Sequence, residues 1–291
     1  MLLKLNSTNL AALLICSSLM VLGCKKETTG NSSTETQEVV GAMSDDAEAD
    51  VTFNQVSDDV ETVNDDIGFT QADIGAEDQP TDPVNHPRCY TVTITKLTAA
   101  EFPKQVVIDF GAGCLGRDGK LRKGKIITVF TGRLREPGSK ATTTFDGFYV
   151  NLVHVEGTHI IQNNSTSSVR VITRKVENGK LSRPNGNYIA WNATHTNTQV
   201  AGLGTPNYHF DDEFSITGNA SGENNRNGKV SSWSRNITNP LHKKANCQWF
   251  DQGTVSVTHN GHTGSLDFGS GACDNKATVS YNGYSMEITL P

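Results

Sequence analysis

The sequence has no apolar run of about 20 residues, the length that a membrane-spanning helix needs. Its main apolar run lies near the N-terminus, from Leu10 to Leu22, and follows a single positive charge at Lys4. A short apolar run after a positive charge is typical of an export signal that is removed from the mature chain. We therefore expect the mature chain to reach a membrane surface without crossing the bilayer.

The export signal ends in Val21-Leu22-Gly23-Cys24. This stretch resembles the lipobox of bacterial lipoproteins, which is cut before its cysteine, although Val21 stands where leucine is usual. Residues 1–23 are thus predicted to be the signal peptide and Cys24 to carry the lipid, including palmitate. Two or more acyl chains anchor a protein stably where one is marginal. The predicted location is the outer membrane, on its periplasmic or surface side; the alternative is an ordinary secretory peptide with an incidental cysteine.

Positive charge is missing from a long part of the chain. Residues 27–86 contain 16 Asp and Glu and no Lys or Arg, whereas residues 87–291 contain 22 Lys and Arg against 15 Asp and Glu. The whole-chain net charge of −6 therefore hides an acidic lead joined to a mildly basic body.

The acidic lead divides into two parts. Residues 24–43 are polar and have no periodicity, so they are predicted to form a flexible tether. Residues 44–86 form an acidic segment in which apolar residues recur three and four positions apart, as on one face of a helix. We predict an amphipathic helix over residues 45–67 that packs against the basic body; the alternative is a disordered acidic stretch. The apolar positions are Ala49, Phe53, Val56, Val60, Val63 and Ile67.

Sustained helical periodicity is absent after Cys89. Thirteen runs of β-branched and aromatic residues, broken by Gly, Asn and Pro, are strand candidates. Residues 87–291 are therefore predicted to form one all-β domain, an antiparallel sandwich or open barrel of about 12 strands. The turn signals are Asn-Gly pairs that begin at Asn178, Asn185, Asn227, Asn260 and Asn282.

Two phrases in this domain are nearly the same. DFGAGC occupies residues 109–114 and DFGSGAC occupies residues 267–273. Each follows two strand-like runs, which predicts a repeated hairpin with glycines where the chain turns out of the second strand. A fainter echo relates the stretches that begin at Phe145 and Phe210, and the domain is interpreted as two diverged halves.

The chain has six cysteines, of which Cys16 lies in the predicted signal and Cys24 is the predicted lipid carrier. The four that remain in an exported chain allow three disulfide pairings. They are separated by 25 residues in the first half and by 26 in the second. This matched spacing favours a disulfide across each hairpin, between Cys89 and Cys114 and between Cys247 and Cys273.

Taken together, these features resemble a family of uncharacterised lipoproteins from Bacteroidota. The resemblance covers most of residues 20–291 and implies an envelope location, but it supplies no activity and no catalytic residues. It rests on the lipobox, the acidic lead and the phrases FPKQVVIDFGAGC, GKIITVFTG, TTTFDGFYVNLVHVEGT and LDFGSGACDNKATVSYNGYSMEITL.

Several catalytic motifs are missing. The chain has no H-R-D-x-x-x-x-N loop and no V-A-I-K strand, so its DFG phrases do not indicate a kinase. The stretch GKLRKGKI at residues 119–126 places Ile126 where a phosphate-binding loop needs Ser or Thr. No G-x-S-x-G motif is present.

Carboxylates and a histidine supply weaker catalytic candidates. Alternation on a strand places His154 and Glu156 on one face, where they could share a metal or a proton. It also places Asp211 and Glu213 on one face, with Glu156 or Asp146 as opposing carboxylates for glycoside hydrolysis.

Two further groups are candidates for ligand binding. Trp191 and Trp233 stand among polar residues and are interpreted as surface platforms for sugars, whereas Trp249 is expected to pack in the core beside Cys247. A basic turn could contact anionic glycan, lipopolysaccharide phosphate or the acidic lead; the alternative is a solvated hairpin tip. The turn contains Arg117, Lys120, Arg122, Lys123 and Lys125.

The function that we favour from sequence is a membrane-anchored envelope lipoprotein, without catalysis, that binds a glycan or a protein partner. The alternatives are a hydrolase or lyase acting on polysaccharide and a structural subunit of an outer-membrane assembly. No cofactor, metal or nucleic-acid partner is expected.

Overall fold

The described part of the chain is almost entirely antiparallel β structure. The computed structural model describes residues 89–116, 119–205, 209–247 and 249–289, together with Gly41, Ala49, Thr52 and Val56. Fourteen strands in these ranges form one continuous sheet. The all-β prediction is confirmed, and the predicted count of about 12 strands is two too low.

The strands have the following bounds: β1 Thr91–Lys96, β2 Lys104–Asp109, β3 Cys114–Leu115, β4 Leu121–Phe130, β5 Lys140–Val150, β6 Val153–Asn163, β7 Val171–Ser182, β8 Tyr188–Ala201, β9 Glu213–Arg226, β10 Lys229–Lys244, β11 Gln252–His259, β12 His262–Ser270, β13 Lys276–Tyr281 and β14 Tyr284–Thr289. A 3-10 turn at His209–Asp211 precedes β9.

The order of strands in space follows the order along the chain. From β4 to β14 each strand pairs with the next one, and β2 joins this series by pairing with β1 and β4. The two-residue β3 extends the β2 side of β4. The sheet is not closed, since β1 and β14 each have a neighbour on one side only. It is therefore one open sheet and not the two separate sheets of a sandwich.

Burial alternates along the strands, so one face of the sheet carries the core. In an antiparallel pair, residues directly opposite each other point to the same face. One row of opposed residues crosses nine strands and is buried throughout. We call the face that holds this row the inner face and the other the outer face. The row contains Val106, Thr128, Thr143, His159, Val176, Ala193, Ala220, Arg235 and Val257.

Four residues ahead of the sheet are also described. Gly41, Ala49, Thr52 and Val56 have helical conformation. Ala49 and Val56 are 1% and 2% exposed and belong to the hydrophobic core. The other residues of the predicted helix at 45–67 lie outside the described residues, as do the predicted signal peptide, Cys24 and the rest of the tether. Within the described part of the chain, no helix is long and apolar enough to cross a membrane.

Both predicted cysteine pairs lie at disulfide distance. Cys89 pairs with Cys114 across the β1–β2 hairpin, with Cα atoms 5.3 Å apart. Cys247 pairs with Cys273 across the β11–β12 hairpin, with Cα atoms 5.8 Å apart. The pairing favoured by the matched spacing is thus the one found. By the chain-entropy relation, closing a loop of this length stabilises the fold by about 3.5 kcal/mol.

The two DFG phrases have the same local structure. In each, the aspartate carboxylate accepts a hydrogen bond from the backbone N–H two residues on, at 2.8 Å in the first phrase and 2.7 Å in the second. The glycine has a positive φ in both, 57° and 88°, which glycine adopts without strain. The phenylalanine between them is buried in both. The residues are Asp109, Phe110 and Gly111, and Asp267, Phe268 and Gly269.

The second pair of similar stretches, which begin at Phe145 and Phe210, does not share a local structure. Phe145 is a half-buried residue of β5, whereas Phe210 is exposed in the 3-10 turn before β9. These two phenylalanines occupy unlike places, so only the disulfide-closed hairpins are alike in structure. The division of the domain into two diverged halves stays a prediction.

The five Asn-Gly pairs occupy three kinds of place in the fold: turns between strands, a loop and a bulge within a strand. Asn227, Asn260 and Asn282 begin two-residue turns between consecutive strands and have φ values of 53°, 48° and 49°. Asn185 lies in the loop between β7 and β8. The turn predicted at Asn178 is wrong, because β7 continues through it and absorbs it as a bulge after Val176.

Candidate functional site

A cavity of about 630 Å³ lies where β7, β8, β9 and β10 run side by side. The polar or small side chains along its walls stand opposite one another in two rows of the outer face. Most of them are exposed. These residues are Lys180, Ala190, Asn192, Ser221, Glu223 and Ser232.

The floor of the cavity is a row of two glycines and two tryptophans. Gly179 stands opposite Trp191, which stands opposite Gly222, which in turn stands opposite Trp233. A Cβ atom on Gly179 would lie 3.1 Å from the Trp191 indole, and one on Gly222 would lie 2.1 Å from the Ala190 carbonyl oxygen. Gly179 therefore leaves room for the Trp191 indole, and Gly222 lets the β8 and β9 backbones lie close together beneath the cavity.

The interpretation of Trp191 and Trp233 as surface platforms is wrong. They are 2% and 3% exposed and belong to the core. Alternation along the strand explains the difference, because the neighbours Ala190 and Asn192 face outward while Trp191 faces inward. Both tryptophans do border the cavity, as part of its floor. Trp249, expected in the core, is half-buried.

A charged and aromatic group stands at one side of the cavity. The Tyr188 hydroxyl donates a hydrogen bond of 2.8 Å to Oε1 of Glu223. The Nζ atom of Lys180 lies 4.9 Å from the centre of the Tyr188 ring. Accepting this bond, the Glu223 carboxylate raises the pKa of Tyr188 above its usual value. The phenol is therefore neutral at pH 7 and offers a ring edge and a hydroxyl group to a ligand.

The bulge in β7 forms another part of the cavity wall, where Asn178 lies beside Asn192. Its backbone N–H at Asn178 donates a hydrogen bond of 2.9 Å to the side-chain oxygen of Asn192. This bond fixes both residues at the cavity wall. The amide of Asn192 is thus held in a defined position by the bulge.

No family model, curated protein or solved structure matches this chain. Its function is therefore inferred from the chemistry of its own surface.

The predicted basic turn does not form one patch. Arg122 is buried, Lys123 lies 4.0 Å above the Tyr149 ring, and the Lys125 ammonium group lies 3.1 Å from the Asp109 carboxylate. The Gly111 backbone N–H and Lys125 together lower the pKa of Asp109. These side chains thus have separate contacts on and around β4, which β5 and β6 separate from the cavity strands. Of the other two residues, Lys120 is half-buried and Arg117 lies outside the described residues.

The predicted pair of carboxylates at Asp211 and Glu213 does not face one cleft. Asp211 accepts a hydrogen bond of 2.8 Å from Thr205, whereas a Glu213 oxygen lies 3.2 Å from Nε2 of His242. The opposing candidates are also distant in the sheet, because Asp146 lies in β5 and Glu156 in β6 while Glu213 lies in β9. Asp212, between the pair, is buried and hydrogen-bonded to Gln199.

His154 and Glu156 do face each other on β6. Nδ1 of His154 lies 3.5 Å from Oε2 of Glu156, and the His154 ring stacks on Tyr149 at 4.5 Å. In the ranges that the structure describes, no three His, Cys, Asp or Glu side chains are grouped as a metal site.

Sequence reasoning missed one charged cluster. The Asp251 carboxylate is buried, 2.7 Å from Nδ1 of His242 and 2.7 Å from the Lys244 ammonium group. Burial alone would raise the pKa of Asp251, but hydrogen bonds from Lys244 and His242 bring the pKa below its usual value. The cluster joins β10 to the loop closed by Cys247 and Cys273, so it stabilises that loop. The three residues come from two separate stretches of chain, and no spacing rule connects them.

Proposed function

We propose that the protein is a lipid-anchored envelope protein that binds a glycan in the outer-face cavity. The observation that carries this proposal is the cavity itself, whose volume of about 630 Å³ suits a small ligand or a few sugar units. Its walls carry carboxylate, ammonium, amide and hydroxyl groups. These are the groups that exchange hydrogen bonds with sugar hydroxyls.

Three features favour a glycan over a protein partner. The Glu223 carboxylate accepts hydrogen bonds and the Lys180 ammonium group donates them, so neighbouring hydroxyls of one sugar can be bound by both. The Tyr188 ring beside them provides an aromatic edge for the apolar part of a sugar. The site is also a concave groove on a sheet held rigid by pairing on both sides, whereas protein interfaces are broader and flatter.

Binding is proposed ahead of hydrolysis for a chemical reason. Glycoside hydrolases use two carboxyl groups, about 5 to 10 Å apart, on either side of the scissile bond. Across this cavity from Glu223 stand Asn192 and Ser221, which orient hydroxyl groups without transferring protons at neutral pH. A lyase would need a base, and the raised pKa of Tyr188 opposes that role.

The cavity can be tested on an array of bacterial and host oligosaccharides. We expect binding to at least one glycan class. Glu223→Gln should raise the dissociation constant about 10- to 100-fold, since a contact to a charged group is worth about 1.5 to 3 kcal/mol, and Asn192→Ala should raise it about 2- to 10-fold, since a neutral contact is worth about 0.5 to 1.5 kcal/mol. Glu177→Gln is the matched control, because Glu177 lies on neighbouring β7 and contacts Lys175 outside the cavity. Absence of binding to every glycan, or binding that both cavity variants leave unchanged, contradicts the proposal. A single stoichiometric envelope protein in a pull-down would then favour the structural-subunit alternative.

The lipid anchor is supported by the sequence Val21-Leu22-Gly23-Cys24, which follows the apolar export signal and precedes a polar stretch. It is also the basis for proposing an outer-membrane location and kinship with Bacteroidota lipoproteins. An anchored body would present the cavity to glycans near the membrane surface.

Cys24→Ser is expected to move the protein from the membrane fraction to the soluble fraction, because the thiol that carries the lipid is lost. The measurement is fractionation with immunoblotting, combined with labelling by a palmitate analogue. Cys16→Ser, within the predicted signal, is the control and should leave both membrane association and labelling of the mature chain intact. If the Cys24→Ser protein stays in the membrane fraction and is cut at the same point, Cys24 is not the lipid carrier.

A further inference from the structure

Residues that precede the sheet by more than 30 positions belong to the same hydrophobic core as its inner face. Ala49 and Val56 lie in the same hydrophobic core as Val176, Ala193 and Ala220, which belong to the buried row of the inner face. A sheet buries an apolar face by packing a second layer against it. Residues of the acidic segment therefore take part in that second layer.

The described residues of this segment fit a helix that packs on one side. Ala49, Thr52 and Val56 are helical, and Val56 follows Ala49 by seven residues, a separation that corresponds to about two helical turns. Both end residues therefore point to the same side of a helix, and both are buried. The predicted apolar stripe from Ala49 to Ile67 has the same spacing.

The inner face also carries basic side chains, of which we call Arg174, His195 and Arg235 the inner cationic cluster; His159 lies near them as a neutral imidazole. Arg174 and His195 stand opposite each other in β7 and β8, and Arg235 of β10 is hydrogen-bonded to His195. Burial first, and then the charges of Arg174 and His195, lower the pKa of His159 to about 3. Positive charges held close together at buried and half-buried positions are stabilised by nearby carboxylates.

We propose that residues 45–67 pack as a helix across the inner face and that their carboxylates bind the inner cationic cluster. These 23 residues contain nine Asp and Glu and no Lys or Arg, so their charge complements the cluster. Arg226, at the tip of the β9–β10 hairpin, donates a hydrogen bond of 3.0 Å to the Gly41 carbonyl oxygen. This contact places Gly41, four residues ahead of the segment, beside the tip of the β9–β10 hairpin. The inference does not depend on glycan binding.

Hydrogen exchange on the full-length chain tests this proposal. In the wild type, amides in residues 45–67 should exchange at least 100-fold more slowly than in an unfolded peptide of the same sequence. Val56→Asp should remove this protection, because it places a charge in the core. The double variant Arg174→Gln with Arg235→Gln should reduce the protection at least tenfold. The matched control is Lys175→Gln with Lys229→Gln, which removes two positive charges from exposed positions and should leave the protection unchanged.

The outcomes separate the two parts of the proposal. Wild-type amides at 45–67 that exchange as fast as in the free peptide overturn the docking. Protection that is the same in the double arginine variant and in the wild type overturns the contact with the cationic cluster. If the double variant also loses protection in its strands, Arg174→Gln alone decides by the same criterion, since Arg174 is only half-buried. Loss of protection confined to residues 45–67 supports both parts.

Discussion

Replacing Trp191 by alanine is expected to lower the free energy of unfolding by about 3 to 5 kcal/mol. Trp191 is among the largest fully buried side chains, and its indole lies beside Gly179 in a row that leaves space for that ring. Alanine would leave a cavity that the paired strands on both sides cannot close. Urea denaturation followed by circular dichroism measures the change.

Tyr284→Ala is the control for this prediction, because Tyr284 is exposed on edge strand β14 and its loss should change stability by about 0.5 kcal/mol or less. A loss below about 1 kcal/mol for Trp191→Ala would show that the indole is not packed in the core. Such a result, together with weaker glycan binding, would restore the interpretation of Trp191 as a surface platform.

Asp251→Asn is expected to lower the free energy of unfolding by about 3 kcal/mol at pH 7. The substitution keeps the size of the side chain but removes the buried negative charge that His242 and Lys244 share, so that the more exposed Glu213 carboxylate, 3.2 Å from His242, has to balance both basic groups. Asp109→Asn is the matched control, since Asp109 also pairs with a lysine, Lys125, but at a more exposed site. Its loss should cost about 1 kcal/mol or less.

The Asp251 effect should depend on pH in one direction. The folded-state pKa of Asp251 lies below the ordinary value of 3.8, so its contribution to stability is present above pH 3.8 and is lost as the pH falls through the folded-state pKa. The difference between wild type and Asp251→Asn should thus be present at pH 5 and shrink as the pH falls below about 3.8. An undiminished difference at pH 2 would show that the charge of Asp251 is not its source.

The strands and disulfides of this protein could be predicted because their signals are local. Each of the 13 runs rich in β-branched and aromatic residues became one long strand, since such residues pack well on a pleated surface. Only β3 was missed, and its two residues, Cys114 and Leu115, are too few to show a pattern. The disulfides followed from equal spacing because each closes a hairpin of similar length.

The site could not be predicted in the same way. Alternation tells which residues share a face, but not which face is buried, and Trp191 was assigned to the wrong one. Its polar neighbours suggested exposure, whereas strand pairing with Gly179 and Gly222 made room for burial. The Asp251 cluster depended on the return of the chain after β10, which no short pattern records. The cavity likewise exists only once four strands are side by side.

The consecutive order of the strands has a consequence for how the chain folds. Because nearly every strand pairs with its neighbours along the chain, folding needs few closures of long loops, and the sheet can grow one hairpin at a time. Such growth can begin at several places, as in repeat proteins. The disulfide-closed hairpins, β1–β2 and β11–β12, restrict the unfolded chain most and are natural starting points. The sheet would then assemble from both regions toward the middle, and the strands that form the cavity would be added from the β11–β12 side, β10 first and β7 last.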